Sequence, residues 1–237
     1  MKLRPVVTCE HAGNTVPPNY AHLFHGKEDI LQSHRGWDPG AVEVASALSN
    51  DLAASFFICE TTRLLVEPNR SLHSESLFSE YSKGLTETEK DHLLQNYYHP
   101  HRTTVEQLIR NSIGAVLHLS IHTFTPVWDG LERIVDLGLL FDPERKNETK
   151  FCEDYKTKLN KSLLAINIEF NEPYKGIDDG FTTYLRTRFS DDQYLGIEIE
   201  INQKFVGTEK LTAITEALLE SLRSFCDLAD KDASLLA

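Results

Sequence analysis

The residues capable of chemistry gather where short apolar runs end. Cys9-Glu10-His11 follows PVVT, and Ser120-Ile121-His122 closes AVLHLSIH. Arg63 and then Asn69-Arg70 follow SFFIC, and Glu198 and Glu200 lie within YLGIEIEI. Two histidines and a carboxylate are the usual protein ligands of a catalytic zinc, with a fourth position left for water. A free carboxylate beside that water serves as general base.

Each residue also has a plainer reading. His11 alone is more commonly a satisfied polar group at a strand end. In LHLSIH, Leu117, Leu119 and Ile121 face one way, while His118, Ser120 and His122 face the other. A parallel strand buried on both faces should be nearly all apolar, so this polar face invites a functional reading. The alternative is an edge strand with one wet face. Glu198 and Glu200 share a face opposite Ile197, Ile199 and Ile201. Two acids about 7 Å apart repel unless a cation or solvent offsets them. Asp38 sits where a helix N-cap is wanted, and capping leaves a second oxygen free for a metal. Arg70 beside Asn69 could fork a substrate carboxylate, although for Arg63 and Arg70 taken alone a surface salt bridge is the favoured reading. The cluster His99-Pro100-His101, with Tyr97 and Tyr98, could line a pocket, but it reads more readily as a helix break with exposed histidines. The chain has no P-loop, no G-x-G-x-x-G and no G-x-S-x-G elbow.

The elements that must position these residues alternate. Strands are expected at Pro5–Cys9, Ser55–Cys59, Ala115–Ile121, Gly138–Phe141, Ala165–Ile168 and Tyr194–Ile201. A helix from Asp38 to about Ala53 repeats apolar residues at Ala41, Val44, Ala45 and Leu48, with Pro39 suited to its first position. Thr86 and Glu89 suggest a capping box, opening a helix towards Ile113 that is interrupted at Pro100. Further helices are expected from Asp142-Pro143 to about Leu164 and from Thr208 to about Leu228, before an acidic tail. Alternating strands and helices imply a layered α/β fold with a largely parallel sheet. No glycine- or proline-rich linker divides residues 1–237, so one domain is expected. Residues 13–37 and 64–84 are the long irregular stretches, where function tends to reside. Ligands of open α/β sheets bind beyond the carboxyl ends of the strands.

Composition narrows the classes. With 237 residues, 41% hydrophobic and 25% charged, the chain is ordinary globular material. Its net charge of −12 argues against nucleic acid and anionic membrane surfaces as partners. No apolar run approaches the ~18 residues of a membrane span. The N-terminus lacks a signal-peptide apolar region. Cys9, Cys59, Cys152 and Cys226 form no C-x-x-C pair and are expected to be reduced, buried thiols of a cytoplasmic protein.

Six segments in order resemble the N-formylglutamate amidohydrolase family: VVTCEHAGNTVP, SHRGWDPGA, RLLVEPNRS, SIHTFTPVWDG, FNEPY and GIEIEINQ. They span about residues 5–206. The resemblance implies a three-layer α/β fold, a mixed, mostly parallel sheet flanked by helices, of zinc-exopeptidase (phosphorylase/hydrolase)-like kind. It implies one zinc per chain, with His11 and His122 as ligands. The acidic ligand is inferred to be Asp38, with Glu10 as the alternative. It implies that Glu200, in preference to Glu198, is the general base and that Arg63 polarises the scissile carbonyl. Asn69 and Arg70 would grip the carboxylate of a small-molecule substrate. The activity implied is hydrolysis of an N-formyl or N-acyl amino acid such as N-formylglutamate. The runners-up are an N-acyl amino acid deacylase, a small metallocarboxypeptidase, and a non-catalytic binding protein. Asn202 stands where family members often have arginine, and Glu67 where they often have aspartate; these departures leave the metal set intact and the exact substrate open.

Overall fold

Alternating apolar and polar positions become strands and the 3–4 spacing becomes helices, in this computed structural model, which describes residues 3–226. The order is β1 (Arg4–Cys9), α1 (Glu28–Gln32), α2 (Ala41–Leu52), β2 (Ser55–Ile58), α3 (Glu87–Leu93) and α4 (His99–Asn111). β3 (Val116–Phe124), β4 (Val127–Trp128), β5 (Leu131–Glu132), β6 (Leu137–Leu140) and α5 (Lys146–Ser162) follow. β7 (Ile168–Phe170), α6 (Phe181–Arg188), β8 (Tyr194–Asn202) and α7 (Glu209–Leu222) complete it.

The main sheet runs β2-β1-β3-β8-β6-β7, and β4 and β5 form a separate two-stranded hairpin. The first four strands are mutually parallel, β6 is antiparallel to β8, and β7 is parallel to β6. The sheet is therefore mixed and mostly parallel, flanked by helices, as expected. The faces differ. Val7, Leu119, Ile121, Ile197 and Ile199 pack in one core with Leu48 of α2, Tyr155 of α5 and Leu218 of α7. On the opposite face Val6, Val116 and Tyr194 meet Val105 of α4 and Phe181 of α6. The polar side chains of β3 and β8 lie on this second face.

β3 and β8 are central and buried along their whole length, so the edge-strand readings fall away. α3 opens on the expected capping box: Thr86 accepts from Glu89 N–H, and the Glu89 carboxylate accepts from Thr86 N–H. Pro100 does not interrupt α4. It lies in the first turn, where a missing N–H costs nothing, after a π-helical turn at Leu94–Tyr98. Asp38 is not an N-cap either. α2 begins later, from Gly40, whose φ of 85° is left-handed. A Cβ at Gly40 would also approach Val206 Cγ2 to 2.8 Å, so a side chain there is doubly opposed. The fifth expected strand forms three residues later, at Ile168–Phe170. α5 begins four residues after the expected start at Asp142-Pro143. α6 and the β4–β5 hairpin have no counterpart in the sequence reading. α7 ends at Leu222, and the expected acidic tail lies outside the described residues.

The two irregular stretches are not loose. Tyr20, Phe24, Leu65, Leu77, Leu93 and Tyr98 make a small core of their own. It pins the loop that carries Arg63, Glu67, Asn69 and Arg70. All four cysteines are buried, and Cys9, Cys59 and Cys152 are free thiols. Among the described residues, no helix is long and apolar enough to cross a membrane.

A buried ion pair ties three elements together. Glu148 of α5 is fully buried, and its oxygens lie 3.0–3.1 Å from Arg186 Nε of α6. The same carboxylate accepts from Asp142 N–H and Gly196 N–H. Removing one partner of such a pair strands an unpaired charge, which costs about 3–5 kcal/mol. Glu148→Ala should lose about that much stability in denaturant unfolding; a loss below about 1 kcal/mol would contradict this role.

Candidate metal centre

Three chain segments deliver three donor atoms to one point. His11 follows the carboxyl end of β1, Asp38 precedes α2, and His122 lies near the carboxyl end of β3. Asp38 N–H donates to the His11 carbonyl at 3.0 Å, locking the first two segments together. His11 Nδ1 and His122 Nδ1 each lie 3.1 Å from Asp38 Oδ2 and 3.2 Å from each other. All three side chains are buried.

The outer faces of the imidazoles fix which nitrogen points inward. His11 Nε2 is 2.5 Å from Glu67 Oε1. His122 Nε2 is 2.9 Å from Ser120 Oγ and 3.3 Å from Glu10 Oε2. Ser120 donates its hydroxyl to Glu10 at 2.7 Å, so that oxygen accepts from His122. With protons held on both Nε2 atoms, both Nδ1 atoms turn to the same Asp38 oxygen. Atoms so placed need a positive charge among them, a proton or a metal ion. A tetrahedral zinc with bonds of about 2.0–2.1 Å holds its donors about 3.3–3.4 Å apart. The triangle of 3.1–3.2 Å fits that demand with little movement. His11, Asp38 and His122 are the group among the described residues that could hold a metal ion.

Glu10 does not belong to the triangle. Its carboxylate lies behind His122, bonded to Ser120 and, at 3.2 Å, to His101 Nε2. His101 is accordingly buried, not exposed as the helix-break reading has it. Carboxylates behind ligand histidines orient the rings and raise their basicity. Burial opposes charge on Glu10, but hydrogen bonds from His101 and His122 hold its carboxyl well below the ordinary range. Asp38 is held low in the same way: burial raises it, and His11, His122 and Arg63 outweigh that. Burial works against charge on His122 too, yet Asp38 and Glu10 push its pKa well above the usual value. The site attracts positive charge.

A cavity of about 400 Å³ opens over these atoms. Glu200 lines it beside the donors because β3 and β8 pair in register, with His122 opposite Glu200 and Ser120 opposite Glu198. Paired residues of parallel strands project to one face. Glu200 is buried, and its Oε2 has no hydrogen-bond partner. Burial raises its carboxyl to about 7, with the His122 charge opposing and the Asp38 and Glu198 charges reinforcing the shift. Glu198 instead accepts from the Thr182 hydroxyl.

Arg63 reaches the cavity wall bound to Glu67 Oε2 through Nε at 2.6 Å and to Asp38 Oδ1 through Nη1 at 3.3 Å. Asn69 is fixed by accepting the Phe181 N–H at 2.6 Å. Arg70 donates from Nη1 to the carbonyls of Asn69 and Asp179 at 2.9 and 3.0 Å. Both residues line the cavity. Asn202, by contrast, spends its amide on the Val135 carbonyl and the Lys204 N–H, and is fully buried.

The structure thus brings His11, Asp38, His122, Arg63, Asn69, Arg70 and Glu200 to one cavity. Sequence reasoning named Ser120, Glu67 and His101 but missed their supporting roles. Ser120 shares the strand face of His122, whereas no local pattern tells that Glu67 meets His11 or that His101 meets Glu10.

A model of the N-formylglutamate amidohydrolase family matches residues 3–206. No curated protein matches the chain. A solved gene product of Agrobacterium tumefaciens is 28% identical with a TM-score of 0.75, over 94% of this chain and 92% of that one. A bacteriophage poly-gamma-glutamate hydrolase is 9% identical with a TM-score of 0.46, over 94% and 86% of the two chains. A metallo-carboxypeptidase from Burkholderia cenocepacia is 12% identical with a TM-score of 0.40, over 95% of this chain and 57% of that one. With the family model covering most of its length, the chain belongs to the N-formylglutamate amidohydrolase family.

Proposed function

We propose that this protein is a zinc-dependent hydrolase that cleaves the amide bond of an N-formyl or N-acyl amino acid, releasing the acid and the free amine. The observation that carries the reading is a triangle of donor atoms with the unpartnered carboxylate of Glu200 beside it. Family membership supports amide hydrolysis, and N-formylglutamate is the compound in the family's name.

In this reading His11, Asp38 and His122 would hold the zinc. When bound, it would supply Lewis-acid polarisation of the amide carbonyl and a lowered pKa for the attacking water. Glu200 takes a proton from that water as its oxygen bonds to the carbonyl carbon. The same carboxyl then gives the proton to the amide nitrogen as the C–N bond breaks, so no proton is gained or lost overall. A carboxyl shielded from water is suited to both halves of this exchange. Arg63, anchored by Glu67, donates to the carbonyl oxygen as negative charge develops there, a contribution worth about 3–4 kcal/mol. Asn69 and Arg70 orient the substrate carboxylate, supplying local positive charge that a net −12 chain otherwise lacks.

Metal analysis of the purified protein should give about one zinc per chain, lost in His122→Ala; failure to take up zinc would overturn the reading. Glu200→Gln should keep the zinc and lose about 10²–10⁴-fold in kcat, the usual contribution of a general acid–base group. Full activity in that variant would remove Glu200 from its role. Arg70→Lys should raise KM by about tenfold or more while changing kcat less, because an ammonium cannot form the bidentate pair. A fall confined to kcat would argue against carboxylate binding there.

A further inference from the structure

Two aromatic rings wall the cavity and take no part in the chemistry above. Trp128, at the end of β4, and Tyr174 both line it beside His122 and Glu200. Both stay open to solvent, Trp128 at 53% and Tyr174 at 41%, although large aromatic rings ordinarily bury themselves. They are also held in place. The Arg133 guanidinium carbon lies 5.3 Å from the Trp128 ring centre, 5.1 Å from that of Tyr174 and 5.5 Å from that of Phe124. Arg133 Nη1 donates to the Tyr174 hydroxyl at 3.2 Å and to the Thr125 carbonyl at 3.4 Å. The rings are thus pre-set around a stacked cation, and a ligand meeting them orders little that is loose.

A formyl hydrogen is too small to use such a wall. A second substrate carboxylate would have Lys175 alone to meet it: Arg35 is ion-paired with Glu80, Arg63 is bound to Glu67 and Asp38, and Arg133 is covered by rings. The same cavity is lined by Asp178, Asp179 and Glu198, which repel a further anion. Exposed apolar surface continuous with a ligand cavity marks a place where a ligand's apolar part rests.

We propose that Trp128 and Tyr174 form a subsite for a planar aromatic group, so that the preferred substrate is an N-acyl amino acid carrying one aromatic ring and one carboxylate. Arg133 acts as a positioning residue behind the rings. The inference rests on the pocket being an amidohydrolase site, and either half of the substrate, acyl group or amino-acid side chain, can supply the ring.

Calorimetric titration of the zinc-supplied Glu200→Gln protein tests it, because binding is then read without turnover. N-benzoylglycine carries the ring on the acyl side, N-formylphenylalanine carries it on the amino-acid side, and N-formylglutamate carries none. At least one aromatic compound should bind tenfold or more tighter than N-formylglutamate, and the better one identifies the side. Adding Trp128→Ala, a change at an exposed position, should reduce that advantage about tenfold. Equal or tighter binding of N-formylglutamate, an advantage indifferent to Trp128→Ala, or binding of none of the three would overturn the subsite. Turnover by the protein with Glu200 intact judges the other claim separately. Aromatic compounds bound tightly but not cleaved would reject amide hydrolysis and leave the subsite standing. Cleavage of N-formylglutamate without aromatic preference would do the reverse.

Discussion

Strands β3 and β8 run parallel and in register over nine residues, and everything at the site depends on that pairing. It sets His122 beside Glu200, and Ser120 beside Glu198, on the one sheet face that is not filled with aliphatic side chains. A slip of one residue would send every one of these groups to the opposite face, into the core under α2, α5 and α7. The isoleucines and leucines between them therefore do more than fill space. Their burial fixes the register, and the register positions the polar groups.

Placing polar groups in the centre of a sheet carries a cost, and the structure meets it with mutual satisfaction. Glu10 serves Ser120, His122 and His101 together, while Glu67 serves His11 and Arg63. The network leaves two histidine nitrogens and one aspartate oxygen turned inward, and one glutamate oxygen without a partner. In a buried network such leftovers are costly unless they serve a purpose. Here they face a single cavity. Rigid strands supply His122 and Glu200, and loops pinned by their own small core supply Arg63, Asn69 and Arg70.

Much of this was legible in the sequence, unevenly. Alternation in LHLSIH and GIEIEI exposed the two polar faces, because a period of two is a property of the strand alone. That these faces adjoin was not legible, since pairing is set by topology. Asp38 read as a helix cap, but the helix waits for Gly40, because Val206 crowds that position and only glycine takes its backbone angle comfortably. That frees both Asp38 oxygens to face His11, His122 and Arg63. His101 read as exposed, since no local pattern announces that Glu10, ninety-one residues away, will lie against it. The β4–β5 hairpin escaped notice because strands of two residues show no period, and α6 because its eight residues are mostly threonine and arginine between the apolar ones.

We propose that a zinc ion is what His11, Asp38 and His122 converge to hold. X-ray absorption at the zinc edge on the zinc-loaded protein tests this most directly, because it reads the ligand atoms themselves. A shell of two imidazole nitrogens and one carboxylate oxygen at about 2.0–2.1 Å is expected, completed by a light atom from solvent. A sulfur shell at about 2.3 Å, or oxygen ligands without imidazole, would contradict it.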